Sequence, residues 1–176
     1  MNITGGKFNG RKITTVKSND VRPTSSKVRG SIFSMLTSLG VDFPKIIFLD
    51  LFAGSGIIGL EALSRGAAKS FFVEKNLTTY KLIKLNLANF EADFEILNMD
   101  ALRFLDKTQQ KFDVVFVDPP YREGFYDAAI AKLPRVLNKN GLAIIEAPLE
   151  YTLPKNIEIL KHKTYGTTQI FILKFS

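Results

Sequence analysis

Residues 45–66 read KIIFLDLFAGSGIIGLEALSRG. Residues 45–52 form an apolar run, too short for an ordinary helix, and read as a strand buried on both faces. Asp50 closes the strand. Gly54 and Gly56 follow, where a tight turn and a close backbone approach need residues without a Cβ. From Gly56 the apolar positions recur at helical spacing. One strand, one glycine turn and one helix make half of a βαβ unit, and the rest of the chain repeats the pattern.

Downstream, KSFFVEK is a strand before the helix NLTTYKLIKLNLANF, and FEILNM is a strand before a short helix at DALRFLDK. FDVVFVD leads to the helix EGFYDAAIAKLPRVL, and GLAIIEA is a fifth strand. Apolar strands alternating with amphipathic helices mean an α/β fold with a parallel sheet covered on both faces. The end departs from this rhythm. IEILKHKTY and TTQIFILKF flank Gly166 with no room for a crossover helix, so they pair antiparallel at one edge. The expected sheet is seven-stranded and mostly parallel, with one antiparallel edge strand. APLEYTLPKN, before the sixth strand, is too short and too broken for a full helix.

Upstream lies a different kind of segment. Gly5-Gly6 and Asn9-Gly10 suggest a small hairpin. Pro23 then breaks the chain, and Thr24 or Ser25 can cap a helix whose Val28, Ile32, Phe33 and Leu36 face the core. Residues 1–30 carry seven bases against one acid, whereas the other 146 residues carry 17 bases and 16 acids. Nearly all of the +7 net charge therefore sits in this arm, which points to a polyanion partner, nucleic acid first, with a merely solvated basic tail as the alternative. Lys7, Arg11, Lys12, Arg22, Lys27 and Arg29 need not bury and are the expected phosphate contacts. The 176 residues suffice for a single domain, with residues 1–40 as the basic extension and 45–176 as the core.

Composition excludes several classes. There is no cysteine, hence no disulfide framework and no thiol chemistry. His162 stands alone and reads as a strand residue, so a His/Cys zinc site is excluded. No run of about 18 apolar residues marks a membrane span, and the first residues lack the apolar stretch of a signal peptide. A cytoplasmic protein without membrane or metal is expected.

In open α/β sheets ligands bind outside the carboxyl ends of the strands. Four such ends carry polar signals: Asp50 with the glycine turn, Glu74, Asp100, and Asp118 with Pro119, Pro120 and Tyr121. Gly54, Gly56 and Gly59 match G-x-G-x-x-G, and Glu74 follows at a spacing suited to ribose hydroxyls, so a nicotinamide dinucleotide is a competitor. A bare strand–helix turn would explain the glycines alone. Asp50 disfavours a pyrophosphate, which its charge would oppose. It suits a cationic ligand without phosphates, and Asp100 could meet an adenine amine. S-adenosylmethionine fits both. Methyl transfer to an exocyclic base amine then explains the fourth end. Asp118 and the Pro119 carbonyl can accept the amine's N–H groups, Tyr121 can stack on the base, and the prolines hold the turn rigid. The base would have to be unstacked.

By these residues the chain resembles the Rossmann-like class I S-adenosylmethionine-dependent methyltransferases. More closely, GGKFNGRKI, RPTSSKVRGSIF, LDLFAGSGIIGLEALSRGA, FVEKN, FVDPPY and YGTTQIFIL resemble the RsmD family. The resemblance implies methylation of the N2 amine of one guanine in 16S ribosomal RNA. It implies cofactor contacts from Asp50, Ala53, Gly54, Gly56 and Glu74, with Asp100 and Ala101 by the adenine. It assigns Asp118, Pro119, Pro120 and Tyr121 to the target amine. It also implies a small ribosomal subunit as substrate, docked on the basic arm with ribosomal proteins nearby. A monomer is expected. The same amine acceptors would fit another RNA or adenine in DNA. A nonenzymatic RNA-binding module on this fold would be expected to have lost Asp118 or the glycine turn, and both are intact.

Overall fold

The computed structural model describes residues 1–15, 24–120 and 124–175. Five strands, β1 (Ile47–Asp50), β2 (Lys69–Val73), β3 (Phe94–Leu97), β4 (Phe112–Val117) and β5 (Leu137–Pro148), run parallel. Two more, β6 (Glu158–Tyr165) and β7 (Thr168–Lys174), complete the sheet in the order β3-β2-β1-β4-β5-β7-β6. The single reversed strand is β7, which pairs antiparallel with both β5 and β6. It lies one place in from the edge, and β6 forms the edge outside it. The stretch before β6 contains no helix, as its prolines and length imply.

The strands are apolar on both faces because both faces are covered. On one side α4 (Ala101–Lys107) and α5 (Phe125–Val136) pack against Leu49, Val115, Val117 and Ile145. On the other, α1 (Ser26–Ser38), α2 (Ile57–Ser64) and α3 (Leu77–Leu87) cover Phe48, Phe72, Phe116 and Ile144. Val28, Ile32, Phe33 and Leu36 of α1 are buried on that face, and the Ser25 side chain caps the helix at the Val28 N–H. His162 stacks on Phe171 and bonds Gln169, an ordinary strand residue.

Every residue of α2 is buried, including Glu61. A helix apolar all round must be covered all round, and the first 15 residues provide the outer cover. The arm is hairpin-like, closed by the Asn2–Lys12 bridge, and lies against the end of α2 through Lys7 N–H to Ser64 O. Gly6, at φ +77°, sits where a Cβ would fall 1.9 Å from the Ser64 carbonyl oxygen.

Arg29 corrects the sequence expectation. It is 1% exposed. Its guanidinium holds Glu61 at 3.2 Å and the carbonyls of Thr24 and Asn2 at 2.6 and 2.7 Å. A phosphate cannot reach it. The helical period at position 29 places it on the face that the arm covers, and the fully buried Glu61 demands a cation there. Arg22 lies outside the described residues.

Candidate functional site

The strand order reverses between β1 and β4, and the candidate site lies at the carboxyl ends of these neighbours. Asp50 ends β1 with 1% of its surface exposed. Its Oδ2 accepts the Gly59 N–H at 3.0 Å, in the first turn of α2. Gly59 is itself required, since a Cβ there would meet the Phe72 ring at 2.3 Å. Helix and strand can therefore approach closely enough for this bond. Burial pushes the Asp50 carboxyl up to about 7, against the Gly59 bond and helped by the Glu74 charge.

Between them runs the glycine turn. Gly54 and Gly56 adopt φ +54° and +80°, a region L side chains rarely enter. The Gly54 N–H donates to Glu74 Oε2 at 3.0 Å, and the other Glu74 oxygen accepts the Asn76 N–H at 2.7 Å. Glu74 thus ties the turn after β1 to the cap of α3. Burial raises its carboxyl, opposed by these backbone donors. Ala53 donates its N–H to Val73 O. Asp100 caps α4 through the Arg103 N–H and pairs with Lys75 at 3.3 Å, with Ala101 buried behind it. The seven residues expected to hold a cofactor therefore converge on one edge across three strand ends.

The fourth end joins them. Asp50 is level with Phe116 in the β1–β4 register, so Asp118 stands two residues further along the neighbouring strand. Pro119 is buried beneath it and Pro120 is exposed. Burial raises the Asp118 carboxyl well above the ordinary range, reinforced by the charges of Glu146 and Asp50. Tyr121 lies outside the described residues.

Glu146 is a residue that the sequence reading missed. Val117 pairs with Ile145, and Asp118 and Glu146 are the residues that follow them on the two chains, close enough for the Glu146 charge to act on Asp118. Glu146 is 5% exposed and accepts the Thr24 hydroxyl at 2.7 Å. The signal was present in GLAIIEA, a fifth apolar strand with an acid close to its carboxyl end. Asn86 was also missed. Its amide spans Thr14 of the arm and the Ser55 carbonyl of the glycine turn, at 2.9 and 3.0 Å. No local motif marks it, because its two partners are distant in sequence.

The basic residues divide. Lys7, Lys12 and Lys27 are exposed. The Arg11 guanidinium stacks 4.1 Å from the Phe90 ring centroid and 5.8 Å from that of Phe8, a flat cation on an aromatic base.

A family model described as Conserved hypothetical protein 95 matches residues 1–174. The chain belongs to that family. Over 174 residues it is 35% identical to Ribosomal RNA small subunit methyltransferase D of Escherichia coli (strain K12), covering 93% of this chain and 84% of that protein. The protein of the same name from Haemophilus influenzae is 36% identical over 173 residues, with 93% and 88% covered. The resemblance read from the motifs thus holds over almost the whole chain. A hypothetical protein of Thermus thermophilus superposes with a TM-score of 0.85 at 26% identity, covering 99% of each chain. Ribosomal protein L11 methylase of Lactobacillus delbrueckii shares the fold alone, with a TM-score of 0.67 at 20% identity over 84% of this chain and 78% of that one. The architecture is that of the class I methyltransferases.

Proposed function

We propose that the protein methylates the exocyclic N2 amine of a guanine in small-subunit ribosomal RNA, using S-adenosylmethionine. The observation that carries this reading is the adjacency of Asp118-Pro119-Pro120 to Asp50 and the glycine turn across the β1–β4 reversal. The names of the relatives above supply the substrate class.

The residues fit the cofactor. Gly54 and Gly56 keep Cβ atoms out of the turn. Among the described residues no ion pair reaches the buried Asp50, so a cationic ligand would relieve its raised carboxyl. Glu74 would take the ribose hydroxyls, with oxygens that keep acceptor capacity beyond their backbone bonds. Asp100 and Ala101 would border the adenine. Bound S-adenosylmethionine supplies an electrophilic methyl group on a sulfonium.

The protein's own work is orientation and charge. A guanine amine is a weak nucleophile, because its lone pair is delocalised into the ring. Asp118 and the Pro119 carbonyl would accept its two N–H bonds and turn the lone pair toward the methyl. The Asp118 charge would also offset the positive charge growing on nitrogen, a kind of contribution worth roughly 10²–10³ in rate. The prolines keep both acceptors in place without backbone reorganisation. Lys7, Arg11, Lys12 and Lys27 would hold phosphates of the folded RNA.

The test is transfer of tritium from labelled S-adenosylmethionine. Small subunits from a strain lacking this gene, free 16S RNA and DNA are incubated in parallel and digested to nucleosides. Label in N2-methylguanosine from subunits supports the reading. Label in N6-methyladenosine overturns the substrate, and bound cofactor with no label anywhere overturns the activity.

A further inference from the structure

Outside residues 1–30 the charges nearly cancel, with 17 bases against 16 acids, yet the fold sorts them. β6 is an edge strand of the sheet. Its His162 stacks on Phe171, which belongs to the core beneath α4 and α5. Alternation along a strand then puts Lys161 and Lys163 on the opposite face. The register agrees, since they pair with Ile172 and Ile170, buried on the face that α1 covers. Tyr165 continues the row and is tied to α1 by a hydrogen bond with Ser31. The two lysines thus stand about 7 Å apart along one strand and border α1.

The outer side of α1 suits the same sign of partner. The helix, SKVRGSIFSMLTS, contains no acid. Its exposed positions are Ser26, Lys27, Ser34, Thr37 and Ser38, with Ser31 half-buried. A solvated helix face ordinarily carries charges of both signs, paired one turn apart. This one carries short hydroxyls and a single cation. Lys27 and Tyr165 line one groove, at the end of the β6 row. Among the described residues Lys27, Lys161 and Lys163 have no ion pair, whereas Arg65, Lys69 and Lys75 are paired with acids. The exposed acid of the row, Glu158, lies at its far end, opposite Lys174. Unpaired lysines beside serine and threonine hydroxyls are the groups that hold a phosphodiester backbone.

The sheet order relates this surface to the reaction. The arm reaches α3, where Arg11 stacks on Phe90 and the Thr14 N–H bonds Asn86, and α3 joins β2 to β3. The lysine row lies on β6, at the other end of the order, and Asp118 follows β4 between them. A nucleotide drawn out of its stack has backbone on both sides of it. Building on the proposed RNA methylation, we infer that the outer face of α1 and the Lys161–Lys163 row form a second phosphate-binding surface. It takes the RNA backbone on the side of the target nucleotide away from the arm. Two flanking sets of phosphate contacts then fix the register of the RNA over Asp118 without reading its sequence.

The chain has no cysteine, so Lys163→Cys supplies a single thiol for an azidophenacyl photo-crosslinker. The labelled protein is bound to small subunits from a strain lacking this gene and irradiated. Crosslinks to 16S RNA are expected. Crosslinks to ribosomal protein alone, or none, overturn the inference. In parallel, Lys161→Gln with Lys163→Gln is titrated against the same subunits between about 50 and 200 mM salt. The slope of log affinity against log salt should fall by about 0.7–0.9 for each lysine, and affinity at about 0.1 M salt by about 5- to 8-fold for each. Tm and S-adenosylmethionine affinity by calorimetry should not change. An unchanged slope overturns the inference. So does an equal loss from Lys107→Gln, exposed on α4 across the sheet, because the effect would then follow net charge alone. Failure of the methylation reading looks different: wild-type protein then leaves no label in N2-methylguanosine, however it binds the subunits.

Discussion

Two groups of buried or half-buried carboxylates lie on the same side of the sheet and are treated in opposite ways. Glu61 on α2 is fully buried, and every demand it makes is met. Arg29 reaches it at 3.2 Å, Arg65 pairs with it from the next turn, and the Thr4 N–H and hydroxyl bond it at 2.8 and 2.9 Å. Asp50 accepts the Gly59 N–H, Asp118 faces the charges of Glu146 and Asp50, and among the described residues neither has a salt-bridged cation. Their carboxyls are pushed up. The first group fastens the arm to the core. The second leaves raised carboxyls at the strand ends, and perturbed acids of this kind cluster at functional sites. Both groups read simply as acids in sequence, and only the partners that the fold brings to them tell them apart.

The comparison breaks first at Glu61. Glu61→Ala leaves Arg29 buried without its counter-charge, and such losses are typically about 3–5 kcal/mol. Urea unfolding should show this destabilisation while activity per folded molecule persists. Equal stability of variant and wild type would mean that the arm is held by packing alone. Asp118→Ala should do the reverse. Turnover should fall by roughly 10²–10³, with stability unchanged or improved and cofactor binding retained. A variant with near-normal turnover would remove Asp118 from the reaction.

Asp50 sharpens the contrast through pH. Its folded carboxyl titrates near 7 against an ordinary 3.8, so the folded state keeps a proton that the unfolded chain releases. Stability from this group is fully present below about pH 4 and is lost as pH rises toward 7. Asp50→Asn should therefore raise the ligand-free Tm at pH 8 more than at pH 4. The same substitution should weaken S-adenosylmethionine binding and abolish its strengthening between pH 6 and 8. Calorimetry across that range reads both, and a pH-independent wild-type affinity would contradict a cation beside Asp50. The smallest effect belongs to the arm. Arg11→Ala with Lys12→Ala should weaken RNA binding and reduce the salt slope by about 0.7–0.9 for each phosphate no longer neutralised. An unchanged slope would detach these residues from the interface.

Much of this was legible from local pattern. Strand and helix identities followed from periodicity, because two-sided burial and amphipathicity are written within a few residues. The glycine turn was legible because positive φ selects glycine. Asp50, Glu74, Asp100 and Asp118 were found because acids ending apolar strands are conspicuous. Arg29 was misjudged because charge predicts exposure, and only the arm folded over α2 reverses that. Glu146 and Asn86 were missed because their partners, Thr24 and Thr14 with Ser55, are remote in sequence.

The sequence by itself determined the alternation of strands and helices, the sharp turns and the chemical inventory at each strand end. These depend on backbone sterics and on side-chain periods of two and 3.6 residues. Only the tertiary structure decided which strand ends meet. Insertion of β4 and β5 beside β1 brings Asp118 next to Asp50 and places Glu146 beyond it, while β7 turns back inside the edge. Sheet order is a choice among pairings distant along the chain, settled by the joint burial of both faces, and no single segment contains that information.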